Sequence, residues 1–199
     1  MCEALSSVKL VLLGDSGVGK TSIVTQYVSG NAPDSVKPTI GAAFVTKEVS
    51  IEGHQLELLI WDTAGQEVYR GLAPMYYRSA LIAIICYDVT RAQSFDSVSY
   101  WIKELKTNVD GNIVIVVCGN KIDLEDQRVI DATTAQTNAE SNGALYAETS
   151  ASTWTGVERM FQIAVSKLLA TRGNIATSKD NDVKINETTN NKSSGGCCK

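Results

Sequence analysis

The chain has 199 residues, 44% hydrophobic and 20% charged, with a formal net charge of −4. That length fits one ordinary domain with residues left over, and the acidic balance excludes a protein that holds nucleic acid by neutralising phosphates. No apolar run reaches the roughly 18 residues of a membrane-spanning helix, and Met1 to Ser7 lacks the regions of a secretory leader, so the folded part is expected in the cytosol.

Residues 1–7 read as a short N-terminal extension. Val8 to Leu13 (VKLVLL) is a nearly continuous apolar run, as are Leu81 to Tyr87 (LIAIICY) and Ile113 to Cys118 (IVIVVC). Such runs fit parallel strands covered on both faces. Val49 and Ile51, then Leu56, Leu58 and Ile60, alternate with polar residues around Glu52-Gly53-His54-Gln55. This pattern predicts an antiparallel hairpin near one edge of the sheet, with His54 as a solvated turn residue. Phe95, Val98, Ile102 and Leu105 recur at helical spacing, and Val157, Met160, Phe161, Ala164, Val165, Leu168 and Leu169 do so more strongly, which predicts helices packed on the sheet. The alternation predicts an α/β domain over 8–170. Residues 171–199 are polar and almost without large apolar side chains, so a flexible tail is expected there. The five cysteines (Cys2, Cys86, Cys118, Cys197 and Cys198) form neither a disulfide framework nor a metal-site spacing, and reduced thiols are expected.

The chemistry begins at the end of the first strand. Gly14-Asp15-Ser16-Gly17-Val18-Gly19-Lys20-Thr21 satisfies G-x-x-x-x-G-K-[ST] and runs into the helix-compatible Ser22 to Tyr27. The glycines let the backbone fold round phosphates with its N–H groups inward, at a helix N-terminus that adds positive potential. Lys20 is expected on the β and γ phosphates and the Thr21 hydroxyl on Mg²⁺. Asn120-Lys121-Ile122-Asp123 follows the third apolar strand, at the carboxyl edge where open α/β sheets bind ligands. The Asp123 carboxylate can accept two N–H bonds from N1 and the 2-amino group of guanine, a pair adenine lacks. Asp62-Thr63-Ala64-Gly65-Gln66-Glu67 closes the hairpin, with Asp62 toward Mg²⁺ through water, Gly65 N–H toward the γ-phosphate and Gln66 orienting the attacking water. In Glu148-Thr149-Ser150-Ala151 the Ala151 N–H can meet guanine O6.

With these motifs the chain resembles the Ras-superfamily small GTPases, and within them the Rab proteins of membrane traffic, over nearly its whole length. Gly41-Ala42-Ala43-Phe44, Asp62 to Glu67 and Leu72 to Arg78 look most like the early-endosomal Rab branch. The resemblance implies a six-stranded, mostly parallel sheet with one antiparallel edge strand and five helices, and Thr39 closing over Mg²⁺ and the γ-phosphate of GTP. It further implies slow GTP hydrolysis, two loops ordered by the terminal phosphate, and an aromatic effector triad of Phe44, Trp61 and Tyr76. The implied partners are an exchange factor, a GTPase-activating protein, a GDP-dissociation inhibitor or escort protein, and membrane effectors; a monomer is expected. Cys197 and Cys198 resemble a double-prenylation signal, which two lipid chains would turn into a stable anchor on the cytoplasmic face of early endosomal membranes.

Three positions depart from the family pattern. Ala32, seven residues before Thr39, replaces the phenylalanine that lies against the base, and Ser152 replaces a lysine whose stem covers it. Loose nucleotide binding and fast exchange are therefore expected, unless a nearby aromatic such as Tyr27 substitutes. Val68 replaces an arginine, no residue obviously supplies an arginine finger in cis, and the alternatives are a fold-retaining scaffold with weak nucleotide binding or a P-loop ATPase or nucleotide kinase.

Overall fold

In the computed structural model, which describes residues 6–31, 38–109 and 113–179 and side chains as far as residue 172, strand β1 (Ser6–Leu13) is buried on both faces from Leu10 onward. It is paired on both edges. β3 (His54–Thr63) runs parallel on one side with Leu10 opposite Ile60, and β4 (Ile82–Asp88) on the other with Leu12 opposite Ile84. β5 (Val114–Asn120) and β6 (Leu145–Thr149) extend the parallel array, while β2 (Ala42–Ile51) closes the far edge antiparallel to β3. The order is β2-β3-β1-β4-β5-β6. The chain leaves β1 first toward β3 and then crosses to β4, so strand order reverses beside β1, and a phosphate loop at the carboxyl end of β1 stands at the switch point of the sheet.

The hairpin turn is tighter than its sequence implies. Ile51 pairs with His54, leaving only Glu52 and Gly53 in the turn, with φ of 52° and 80°. This is a two-residue turn with both residues left-handed, the type whose twist matches antiparallel strands. His54 is thus the exposed first residue of β3 rather than a turn residue, its Nδ1 3.1 Å from the Glu52 carbonyl.

Among the described residues five helices accompany the sheet: α1 (Lys20–Ser29), α2 (Ala73–Tyr77), α3 (Ala92–Asn108), α4 (Ala132–Ser141) and α5 (Val157–Lys179). One set of alternating strand residues, Val11, Leu13, Ala83, Ile85, Tyr87, Ile115 and Val117, packs with Val98, Trp101, Ile102 and Leu105 of α3 and Ala135 and Ala139 of α4. On α5, Val157, Met160, Phe161, Ala164, Val165 and Leu168 are buried as their spacing requires. Phe161 stacks on Tyr27 of α1 with ring centroids 3.7 Å apart and planes within 8°. Two 3-10 segments, Glu67–Leu72 and Glu125–Gln127, join these elements without any helical apolar period to announce them.

The chain divides into two units, Met1–Leu168 and Leu169–Lys199. The first contains the sheet and its packed helices. In the second, residues 169–179 continue the helix of α5. Ala170 to Lys179 contains no proline that would end the helix.

Candidate nucleotide-binding site

The residues after β1 form a loop whose backbone is shaped by its neighbours. Gly14, Gly17 and Gly19 adopt φ of 131°, 79° and 98°. A Cβ on Gly14 would lie 2.2 Å from the Cys86 carbonyl oxygen, and one on Gly19 would lie 2.2 Å from Asn120 Nδ2. Glycine is therefore enforced twice, by conformation and by contact. Lys20, the first residue of α1, is almost fully buried and donates from Nζ to the carbonyls of Gly14 (2.8 Å) and Asp15 (2.9 Å). Burial holds its pKa below the ordinary lysine value, against the opposing pull of Asp62 and Asp15. The loop thus curls round its own ammonium.

A cleft of about 340 Å³ opens above it, lined by Ser16, Gly17, Gly19, Lys20, Thr21, Ser22, Pro38, Thr39, Gly65 and Lys121. On one side three oxygens meet. Thr21 Oγ1 donates to Asp62 Oδ2 at 2.6 Å and stands 2.7 Å from Thr39 Oγ1. Asp62 Oδ1 is buried with no hydrogen-bond partner among the described residues. Burial raises the Asp62 pKa, with Thr21 and Lys20 opposing. Two hydroxyls and an unsatisfied carboxylate oxygen are the hard donor set that Mg²⁺ selects, so these residues fit that ion. Asp62 is placed by Thr63, whose Oγ1 donates to the Leu12 carbonyl at 2.6 Å, and the Ala64 N–H binds the Gly41 carbonyl at 2.8 Å.

Gly65 lies directly against the loop; a Cβ there would approach Asp15 at 2.3 Å and Lys20 Nζ at 2.5 Å. Gln66 follows in extended conformation at the head of the 3-10 segment and does not line the cleft. That segment is fastened to the loop by Arg70, whose Nη2 donates to Asp15 Oδ1 at 3.1 Å while its guanidinium lies 5.5 Å from the Tyr100 ring centre. Ser97 of α3 donates to the other Asp15 oxygen at 2.9 Å, and Arg91 donates to the Ser16 carbonyl at 2.8 Å. Sequence reasoning missed Arg70, Arg91 and Ser97. The position of Arg91, just past the carboxyl end of β4, is the one signal that could have marked it.

On the far side, Asn120 is buried at the end of β5 and joins the phosphate loop to the segment after β6. Its Nδ2 donates to the Val18 carbonyl at 2.8 Å, and its Oδ1 accepts from Thr149 Oγ1 (3.1 Å) and the Ala151 N–H (3.3 Å). Ala151 N–H therefore already has a partner, and a bond to a base carbonyl would be shared with Asn120. Lys121 adopts φ of 72° and pairs with Asp88 Oδ2 at 2.6 Å. Burial pushes the Asp88 pKa up, but the bonds from Lys121 and Thr90 outweigh it and the net shift is downward. Asp123 is exposed in the turn after β5, Ser150 is fully buried and accepts from the Thr153 N–H at 3.1 Å, and Ser152 is exposed.

Tyr27 cannot cover a base, because it is buried against Phe161 with the Lys47 ammonium 3.8 Å from its ring centre. Ala32 lies outside the described residues, as do Cys2, Cys197 and Cys198. Phe44, Trp61 and Tyr76 do assemble, with centroid separations of 5.1 and 5.7 Å. Phe44 is 49% exposed, and Ile40, Val68, Leu72 and Met75 are exposed too.

Residues 9–170 match the model of the Ras family. The chain is 47% identical over 159 residues to Ras-related protein Rab-31 of Rattus norvegicus, covering 80% of this chain and 82% of that protein. It is 45% identical over 158 residues to Rab-22A of Canis lupus familiaris, covering 79% and 81%. It is 46% identical over 166 residues to RabJ of Dictyostelium discoideum, covering 83% of this chain but only 65% of that protein, just under two thirds of its length.

Proposed function

The chain belongs to the Ras family, with Rab proteins among its relatives, and on that footing we propose that it is a Rab-type switch that binds GDP and GTP in this cleft, hydrolyses GTP and recruits effectors to membranes. The observation that carries this reading is the Asn120 side chain, which joins Val18 of the phosphate loop to Thr149 and Ala151 beside the base segment.

In this mechanism the inward N–H groups of residues 15–22 and the Lys20 ammonium bind the phosphates, while Asp123 selects guanine through its paired N–H donors. Thr21, Thr39 and, through water, Asp62 would hold Mg²⁺, which when bound neutralises charge on the β and γ phosphates. Gly65 senses the terminal phosphate, and Gln66 swings from its present place to orient the attacking water. Arg70 and Arg91 are engaged with Asp15 and the Ser16 carbonyl, so neither stands free in the cleft. This supports slow intrinsic hydrolysis, accelerated about 10³–10⁵-fold by an activating partner.

The exposed face around Phe44, Trp61 and Tyr76 is proposed as the effector surface, with Val68 altering partner choice. An exchange factor and a GDP-dissociation inhibitor or escort protein complete the cycle. Cys197 and Cys198 are proposed to carry two prenyl groups, and the likeness to early-endosomal Rabs supports the cytoplasmic face of an endocytic membrane. Among the described residues no helix is long and apolar enough to cross a membrane. Single-turnover GTP hydrolysis tests the proposal: Gln66→Leu should slow it by at least about tenfold, and equal rates in both proteins would contradict it.

A further inference from the structure

We propose that Arg128 is a positioning residue for the base pocket, clamping the loop that carries Asn120, Lys121 and Asp123 to the strand end that carries Ser150 and Ala151. The proposal rests on the guanine-nucleotide reading above. Arg128 directly follows the Glu125–Gln127 turn, five residues beyond Asp123. Its Nη1 donates to Glu148 Oε1 at 2.8 Å, its Nη2 to Oε2 at 3.4 Å and its Nε to Glu125 Oε2 at 2.8 Å. Glu148 stands in β6 two residues before Ser150. One guanidinium therefore holds a carboxylate from the Asp123 segment and one from β6.

The rest of the network stiffens both ends of this link. Tyr146 donates to Glu148 Oε1 at 2.8 Å and stands 3.1 Å from the Tyr87 hydroxyl. The N–H groups of Val129 and Ile130 bind the Val89 carbonyl, and the Val89 N–H binds the Asn120 carbonyl, so the chain after Arg128 is tied back to the base loop. Beyond the end of the β5–β6 ladder at Asn120 and Thr149, the direct bonds between the two segments are Ile122 N–H to the Thr149 carbonyl at 3.3 Å and the Asn120 Oδ1 contacts at 3.1 and 3.3 Å, against 2.8 Å for the shorter Arg128–Glu148 bond. The Arg128 and Glu148 side chains are only 15% and 25% exposed, so the pair is less screened than a surface one.

This geometry matters because the family's base-flanking phenylalanine and lysine are replaced here. With alanine at 32 and serine at 152, retention of guanine depends on where Asp123 is held. A clamp that only stabilised the fold would act on every nucleotide alike. A clamp that positions Asp123 would act most on ligands offering both N–H donors.

The test is release of labelled GDP and of labelled IDP, whose hypoxanthine lacks the 2-amino donor, from the full chain. Arg128→Met should speed GDP release by about tenfold and lower the preference for GDP over IDP, since one lost charged contact is typically worth about a factor of ten. Glu148→Gln should do the same more weakly, and the exchanged pair Arg128→Glu with Glu148→Arg should recover part of the loss. Should Arg128→Met fail to fold, Glu148→Gln and Tyr146→Phe decide. Unchanged GDP release, or equal acceleration of GDP and IDP, overturns the proposal. Displacement of GDP by ATP from the unaltered chain would instead defeat the guanine reading beneath it.

Discussion

Thr21 donates its hydroxyl proton to Asp62 at 2.6 Å across 41 residues of sequence, joining the first turn of α1 to the end of β3. The same hydroxyl oxygen meets Thr39, so three separate segments converge on one small volume beside the Lys20 ammonium.

On the proposed reading, that convergence would make Asp62 the link between metal and nucleotide. Removing Mg²⁺ with chelator should speed GDP release from the unaltered chain by at least about tenfold, or about 1.4 kcal/mol. In Asp62→Ala release should already be fast, and chelator should change it by less than about twofold. Stopped-flow fluorescence of labelled GDP measures both, and an equal response to chelator in the two proteins would count against this role.

Gly19 is held to glycine by its φ of 98° and by Asn120 Nδ2, 2.2 Å from where a Cβ would sit. Gly19→Ala should cost about 2–4 kcal/mol from strain and overpacking. It should also break the Asn120 bond to Val18 that spans the cleft. Chemical denaturation together with a GDP titration detects both losses, and native stability with native affinity would refute the packing argument.

The stack of Tyr27 on Phe161 withdraws the nearest aromatic of α1 from the base. Ala32→Phe should therefore slow GDP release by several-fold to about tenfold, the worth of one aromatic contact. Tyr27→Ala should destabilise the fold by about 3–5 kcal/mol. Release from Ala32→Phe as fast as from the unaltered chain would remove the case for fast exchange.

Asp88, paired with Lys121 at 2.6 Å, has a folded pKa below its ordinary 3.8. A depressed carboxylate contributes stability that is present above its unfolded pKa and lost as pH falls through the lower folded value. Stability of the unaltered chain should therefore fall below about pH 4 more steeply than that of Asp88→Asn. Thermal melts from pH 6 to pH 3 give the two slopes, and identical slopes would contradict the pairing.

The sheet and the phosphate loop were legible because their signals are local. Continuous apolar runs such as Leu81 to Tyr87 need two covered faces, and the glycine spacing of 14–19 admits few backbones. Thr21 and Asp62 were placed on one ion by their motifs, but the arrival of Thr39 beside them depended on family resemblance, since no local pattern marks that residue. Arg70 and Arg128 were invisible for a different reason: an isolated arginine carries no periodicity, and their partners Asp15 and Glu148 lie 55 and 20 residues away; Arg91, 75 residues from Ser16, was marked only by its place past β4. His54 was misplaced because a two-residue turn with two left-handed residues leaves less loop than the polar run implies. The helical stretch past Ala170 was missed because apolar spacing reports packing, not the extent of a helix.

The cleft is proposed to select a guanine nucleotide. Competition against labelled GDP on the purified full chain tests it most directly. GTP should displace the label at near-stoichiometric concentration while ATP at about a thousandfold excess leaves it bound, because a site built for paired N–H donors rejects a base that lacks them. Displacement by ATP and GTP over the same concentration range would contradict it.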